Sequence, residues 1–376
     1  MRILSFQIHD ADGWTLEPMK LDAFNLLVGV SGAGKTRIVR AIEQVCAVAL
    51  GTAGAEDARG ARFVIAFEHD ALLYRWEAEL EPEDEGPLVR WERITRGGQP
   101  LVDRTAERFI FGEREIPRLD RAKSAIAILK EDPAMAPLHV AFSRCFFMVL
   151  DAQEDAPGYT FTLANLEKQR HEYASVGDLG ANLSLPIQHK VALLASLFPD
   201  AFAEIEADFR DAFSSIEELR VLQLAPPPEP DEWRKIDEYV AVLSVRESGV
   251  AKPFAFSDMS SGMQRYLSFL IHLSFAPRGT VVLIDELEAS FGLNCLPAAT
   301  DFLLRRAPDL QLILTSHHPY IIQKIPIAGW KLVTRQGSQV RVLDAATIPA
   351  LDEARSRLDH FTRLINLPEY VHGIQA

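Results

Sequence analysis

Gly29–Thr36, reading GVSGAGKT, constrains this chain more than any other stretch. It fits the pattern G-x-x-x-x-G-K-[ST], in which each fixed position has a physical task. Gly29, Gly32 and Gly34 let the backbone curl so that N–H groups point inward at phosphate oxygens, with Val30, Ser31 and Ala33 completing the loop. Lys35 brings a point charge to the β- and γ-phosphates, and Thr36 offers a hydroxyl to Mg²⁺. The flanks match that use. Phe24–Val28 is a short apolar run suited to a buried strand, and Ile38, Ile42, Val45, Cys46 and Ala49 recur at helical spacing.

The rest of the chain must supply the remainder of an α/β fold. Residues 3–9 alternate as a strand should. From about 62 to 116, short runs such as RFVIAFEHD and LLYRWEAEL alternate with turn-rich pieces, which predicts antiparallel β structure. The acidic stretch Glu81–Glu85 reads as a solvated loop between strands. Residues 120–224 read as mainly helical, through HKVALLASLF and AFAEIEADFRDAFSSIEELRVL, and APPPEPDE at 225–232 reads as a linker. A strand at 238–245, a helix from about 261, a strand at 280–284, a helix at 295–306 and a strand at 310–315 follow. That alternation predicts a parallel sheet covered by helices.

Three further motifs carry chemistry. TVVLIDELE (280–288) is an apolar strand ending in two carboxylates, at the sheet edge where open α/β folds bind ligands. Asp285 would hold Mg²⁺, and Glu286 would orient or deprotonate an attacking water. FSDMSSGMQRYLSFLIHL (256–273) marks a helix with one buried face, with Ser260 or Ser261 at its N-cap. A serine and a glycine there present donors to an anion. LILTSHHP (312–319) is a strand running into His317 and His318, one helix after the carboxylate-bearing strand, so its end should lie beside the phosphates.

Composition narrows the partners. The 376 residues carry a formal net charge of −14 and no dense Lys/Arg run, which disfavours a broad non-specific nucleic-acid surface. A local basic groove stays compatible with that charge, so DNA binding is left open. Cys46, Cys145 and Cys295 are few and widely spaced, which suits a reducing compartment and no zinc site. MRILSFQIHD lacks the apolar core of a secretory signal. The most apolar segments, around 140–150 and 267–276, are too short for a bilayer and carry Arg144 or His272. A cytoplasmic protein without membrane contact is expected.

In order, GVSGAGKT, MSSGMQ, IDE and TSHHP resemble the Walker A, signature, Walker B and switch-histidine motifs of ABC-class ATPases. More narrowly, the chain resembles AAA-like, ABC-class proteins related to the OLD (overcoming lysogenisation defect) family, many of which serve in anti-phage defence. The 225 positions between Lys35 and Ser260 favour that group over transporter subunits, whose signature lies closer to the loop. The resemblance implies an α/β P-loop NTPase of ABC-ATPase head type, with an antiparallel β subdomain and a helical insertion. It implies Mg²⁺-dependent ATP hydrolysis in a dimer that sandwiches ATP. Lys35, Glu286 and His317 would be catalytic, Thr36 and Asp285 would hold the metal, and Ser260 and Gly262 would touch the nucleotide of the other copy. Glu288–Leu293 would form the D-loop.

The motifs divide the chain into an N-terminal ATPase lobe (1–119), a helical insertion (120–236), a C-terminal ATPase lobe (237–345) and a helical tail (346–376). The sequence departs from the family in Ser31, where many DNA-repair relatives carry asparagine, and in EASFGL after the Walker B strand. No Q-loop residue is assigned, Gln153 included. The function that follows is an ATP-gated sensor or scaffold controlling a separate nuclease or toxin. A gap-repair DNA ATPase and, behind it, a transporter subunit are the alternatives.

Overall fold

The computed structural model describes the chain except residues 55–57, 59, 83–87, 118, 149–158, 163–170, 183–184, 186, 225–237, 353, 355 and 376. Gln153, most of the acidic segment after Glu81 and the linker APPPEPDE lie outside the described residues. Two compact units interleave along the chain. The first comprises 1–148, 279–287 and 307–376, and the second comprises 149–278 and 288–306. The segment carrying Ser260 groups with the second unit.

The first unit is built on a 15-stranded sheet. Four parallel strands begin it: Cys145–Phe147, Val281–Ile284, Gln311–Thr315 and Phe24–Val28. Trp330–Gln336 continues it in parallel, then Gln339–Asp344 antiparallel. Thr15–Lys20 and Arg2–His9 follow, and the sheet ends in the meander Arg62–His69, Leu72–Glu81, Leu88–Arg96 and Gln99–Thr105 with two short strands beyond. Val281–Ile284 and Gln311–Thr315 are buried at every residue. Strands covered on both faces need continuous apolar runs rather than alternation. The meander alternates instead, as a sheet with one covered face should.

The helix Lys35–Leu50 lies against this sheet and buries Ile38, Val39, Ile42, Val45 and Ala49. Each of these isoleucine and valine side chains contributes roughly 1.5–3 kcal/mol of burial. Gly51, left-handed at φ 72, ends the helix by donating its N–H to Ala47 O and Val48 O. Gln311 ties two strands together, accepting from Ile3 N and donating to Ile3 O and Asp22 O. Beneath the meander, Glu92 and Arg104 form a buried ion pair at 3.1 Å. Arg104 also donates to the carbonyls of Leu119, Asp120 and Lys123. Burial pushes the Glu92 carboxyl above its ordinary range, against the pull of Arg104 and the N–H of Ala125.

The second unit holds a four-stranded sheet, with Glu238–Glu247 between Tyr159–Thr162 and Ile216–Leu224. Helices Val176–Ala181, Ile187–Leu197, Pro199–Ala212, Ser261–Phe275 and Leu296–Arg306 accompany it. Here one reading from sequence fails. The helical run expected through 222 stops at Ala212, and Ile216–Leu224 is a strand paired antiparallel with Glu238–Glu247. The strand's partner lies beyond the proline-rich segment. Local periodicity cannot report it, and cross-strand hydrogen bonding overrides a short helical pattern. Around Tyr266, Phe209, Phe213, Phe269 and Phe291 form a ring cluster with centroids 5.0–6.3 Å apart. Burial pushes the Tyr266 hydroxyl well above its ordinary range.

Candidate functional site

Three parallel strands deliver the site of the first unit. Gln311–Thr315 lies between Val281–Ile284 and Phe24–Val28, with Ile284 level with Leu314 and Thr315 level with Leu27. All three C-terminal ends therefore open on one edge. There Phe24–Val28 turns into the glycine loop and Val281–Ile284 runs into Asp285 and Glu286.

The loop's glycines are required by its geometry. Gly29 has φ 153, and a Cβ there would lie 2.5 Å from the Val333 carbonyl oxygen, a backbone atom that cannot step aside. Gly34 has φ 105 and adjoins Trp14 and Val340. Lys35 is 5% exposed, and its ammonium donates to Gly29 O at 2.8 Å and Val30 O at 3.0 Å, so it folds back over the loop. A loop of this curvature holding a lysine at its centre fits a polyphosphate.

Beside it, Thr36 Oγ1 donates to Asp285 Oδ1 at 3.1 Å, and Thr315 Oγ1 donates to the same oxygen at 2.7 Å. The Thr315 hydroxyl in turn accepts from Glu286 N at 2.7 Å. A hydroxyl and a carboxylate in contact beside the loop fit Mg²⁺, which takes few protein ligands and completes its shell from phosphate and water. Glu286 is exposed and left-handed at φ 47. Its backbone N–H is tied inward while its carboxylate faces out. His317 stands exposed beyond the buried Ser316, at the same sheet edge. His318 instead caps the helix Pro319–Lys324, its Nδ1 accepting from Tyr320 N at 3.2 Å.

The structure thus joins Lys35, Thr36, Asp285 and Glu286 at one edge and brings His317 to it. Ser260 and Gly262 belong to the second unit. Ser260 is the N-cap of Ser261–Phe275, its Oγ accepting from Met263 N at 3.3 Å. Ser260, Gly262, Arg265, Phe291 and Asn294 line a cavity of about 330 Å³ there.

Two features escaped the sequence reading. Thr315 is the hub of the hydroxyl–carboxylate contacts; its one signal was its position as the last residue of a buried strand. Arg37 bridges Asp10 at 2.8 Å and Asp12 at 2.5 Å, and its guanidinium lies 4.6 Å from the Trp14 ring centroid. The hydrogen bond from Arg37 holds the Asp12 carboxyl below its ordinary range. This cluster pins the 10–14 turn to the first turn of the loop's helix.

Fold and site together define a P-loop NTPase fold of the ABC-type head kind, a mixed parallel and antiparallel sheet covered by helices. The chain belongs to the family described as "AAA domain, putative AbiEii toxin, Type IV TA system", whose model matches residues 24–323. No curated protein matches the chain. Among solved structures it is similar to an Smc head bound to the C-winged helix domain of ScpA, at 12% identity and TM-score 0.53, covering 91% of this chain and 97% of that one. An Smc head from Pyrococcus furiosus, also bound to the C-terminal domain of ScpA, matches at 12% identity and TM-score 0.48, covering 91% and 96%. The SMC head domain from Thermotoga maritima matches at 13% and 0.44, covering 91% and 98%. Among the described residues, no helix is long and apolar enough to cross a membrane.

Proposed function

We propose that this protein binds ATP with Mg²⁺ and hydrolyses it, in a dimer of two chains that closes around the nucleotide. The observation that carries the reading is the meeting of Thr36, Asp285 and Thr315 beside a loop whose three glycines all have positive φ and whose Gly29 admits no side chain. Loop amides from Gly29 to Gly34, with Val30, Ser31, Gly32 and Ala33 between, would cradle the phosphates, and Lys35 would leave its two carbonyl partners to reach the terminal ones. Thr36 and Asp285 would hold Mg²⁺, which when bound neutralises charge on the phosphate oxygens. Thr315 orients Asp285 and fixes the Glu286 backbone. That leaves the Glu286 carboxylate to accept a proton from the attacking water, with His317 contacting the γ-phosphate.

Ser260 and Gly262, at the start of a 15-residue helix, would bind the γ-phosphate held by the other copy. Glu288–Leu293 would form part of that interface. The biological reading is a cytoplasmic sensor or scaffold that controls a separate effector in anti-phage defence, of the OLD-related kind. The family's description, which names a putative toxin of a toxin–antitoxin system, supports only the broader part of that reading, a role in such a system. The three free, buried cysteines suit a reducing compartment.

The test is calorimetry of Mg-ATP binding to wild type and Lys35→Ala, with circular dichroism to check folding. Saturable binding to wild type that disappears in folded Lys35→Ala is expected. Equal affinity in both would overturn the assignment.

A further inference from the structure

The large sheet backs the phosphate loop at its two ends. Gly29 sits on the carbonyl of Val333, in the strand Trp330–Gln336, and Gly34 adjoins Val340 and Trp14. Between them Ser31 and Gly32 form an exposed tip, with Gly32 at φ 81. Among the described residues, and leaving out its chain neighbours, a Cβ on Gly32 would meet one atom within 4 Å, Ile374 Cδ1 at 3.3 Å. The tip is therefore backed by a side chain from the opposite end of the sequence.

Strand order explains how Ile374 reaches it. Phe24–Val28 pairs with Trp330–Leu332 and then turns away into the loop, leaving the edge of Arg335–Gln336 open. Ile374–Gln375 takes that edge in parallel, and Arg335 N donates to Gly373 O at 2.7 Å. Gly373 is buried, and a Cβ on it would lie 3.0 Å from Tyr370 O, 3.1 Å from Glu369 O and 3.3 Å from Val30 Cγ2. Two of these are backbone atoms, so a side chain there would hold the segment off the loop. Val30 is also the residue whose carbonyl accepts from the Lys35 ammonium at 3.0 Å. The segment thus backs the loop both at its tip and at a resting partner of its lysine.

A glycine-rich loop has more backbone freedom to lose on ordering than any other. Its affinity scales with the fraction of time it already spends in the phosphate-ready curvature. Contacts that hold this curvature before nucleotide arrives are therefore read out as affinity. Ile374–Gln375 is a strand of two residues, with Ile374 40% exposed, and short strands of this kind open locally at little cost. Its docking and the occupancy of the loop are then linked equilibria.

We propose that Ile374 is a positioning residue for nucleotide binding. Its δ-carbon braces the tip of the phosphate loop, and bound nucleotide and the docked segment 372–375 stabilise each other. This role rests on the nucleotide-binding reading above.

Calorimetry and phosphate-release kinetics with Mg-ATP test it on variants that differ in reach. Ile374→Leu keeps a δ-carbon, Ile374→Val removes the one that meets Gly32 but stays β-branched, and Ile374→Ala removes more. One buried methylene corresponds to about fourfold in an equilibrium constant, so Ile374→Val should raise Kd and KM by about two- to fourfold and Ile374→Ala by about five- to tenfold. Ile374→Leu should stay within about twofold of wild type, as a volume-conserving change. The reacting groups are untouched, so kcat should stay within about twofold throughout. A merely structural role would lower Tm and leave Kd and the split between KM and kcat unmoved. Amide exchange followed by NMR gives a second readout at Arg335 N–H, which bonds to Gly373 O. Mg-ATP should slow that exchange in wild type and leave it unchanged in Lys35→Ala. An unchanged Kd in folded Ile374→Ala, an Ile374→Leu variant as weak as Ile374→Ala, or Arg335 exchange indifferent to Mg-ATP overturns the role of Ile374 alone. Failure of wild type to bind Mg-ATP overturns the nucleotide-binding reading and this role with it, and the wild-type titration by itself tells the two apart.

Discussion

Glu286 holds φ at 47, in the left-handed region, with its N–H bonded to Thr315 Oγ1 and its side chain exposed. An L-residue with a Cβ enters that region at a cost of roughly 1–2 kcal/mol. Glu286→Gly removes that strain, and glycine's greater freedom in the unfolded chain returns about 0.5–1 kcal/mol of it. Because an exposed carboxylate contributes little packing, the net gain should be about 0.5–1 kcal/mol. Glu286→Gln keeps the Cβ and the strain, and should be close to neutral. In a unit of this size a gain of that order raises Tm by about 1–4 °C. Both variants lose the basic carboxylate, so hydrolysis should fall by about 10²–10⁴-fold in each. Scanning calorimetry of wild type and both variants, beside phosphate-release assays, separates the two effects. A glycine variant less stable than the glutamine variant would refute the strain argument. Hydrolysis at the parental rate in either would refute the role of Glu286. If both expectations hold, the site trades stability for a carboxylate placed where the reaction needs it.

In the Glu286→Gln background, Mg-ATP should double the mass seen by light scattering, and adding Ser260→Arg should prevent this while nucleotide still binds. Dimerisation as ready as in the parent would count against Ser260 facing the other copy's nucleotide. Arg104→Met should cost about 3–5 kcal/mol in urea unfolding at neutral pH, because it leaves the fully buried Glu92 without its counter-charge. The folded-state pKa of Glu92 is already raised and would rise further, so its protonated form fits the fold. The deficit should therefore be small near the unfolded pKa of about 4.3 and grow as pH rises through the folded value. A penalty independent of pH would show that charge burial is not its cause.

Much of the site was legible in the amino-acid order because its chemistry is local. Gly29–Thr36 needs only its own backbone to form an anion cradle, and Phe24–Val28 before it and the 3.6-residue apolar period after it announce strand and helix. The run VVLI announces a doubly covered strand, with Asp285 and Glu286 at its end. Ser260 caps its helix through its own neighbour Met263.

The rest was decided between segments far apart in the chain. Ile216–Leu224 is a strand because Glu238–Glu247 pairs with it, and Cys145–Phe147 joins the large sheet because Val281–Leu283 lies alongside. Thr315 matters because strand order sets Gln311–Thr315 between the glycine loop's strand and the one bearing Asp285. The packing of Ile374 on Gly32 depends on a strand turning away and leaving its neighbour's hydrogen-bonding edge open. Periodicity and caps record the forces within one turn or one strand. Pairing and strand order follow from burying all such faces at once, which only the folded chain resolves.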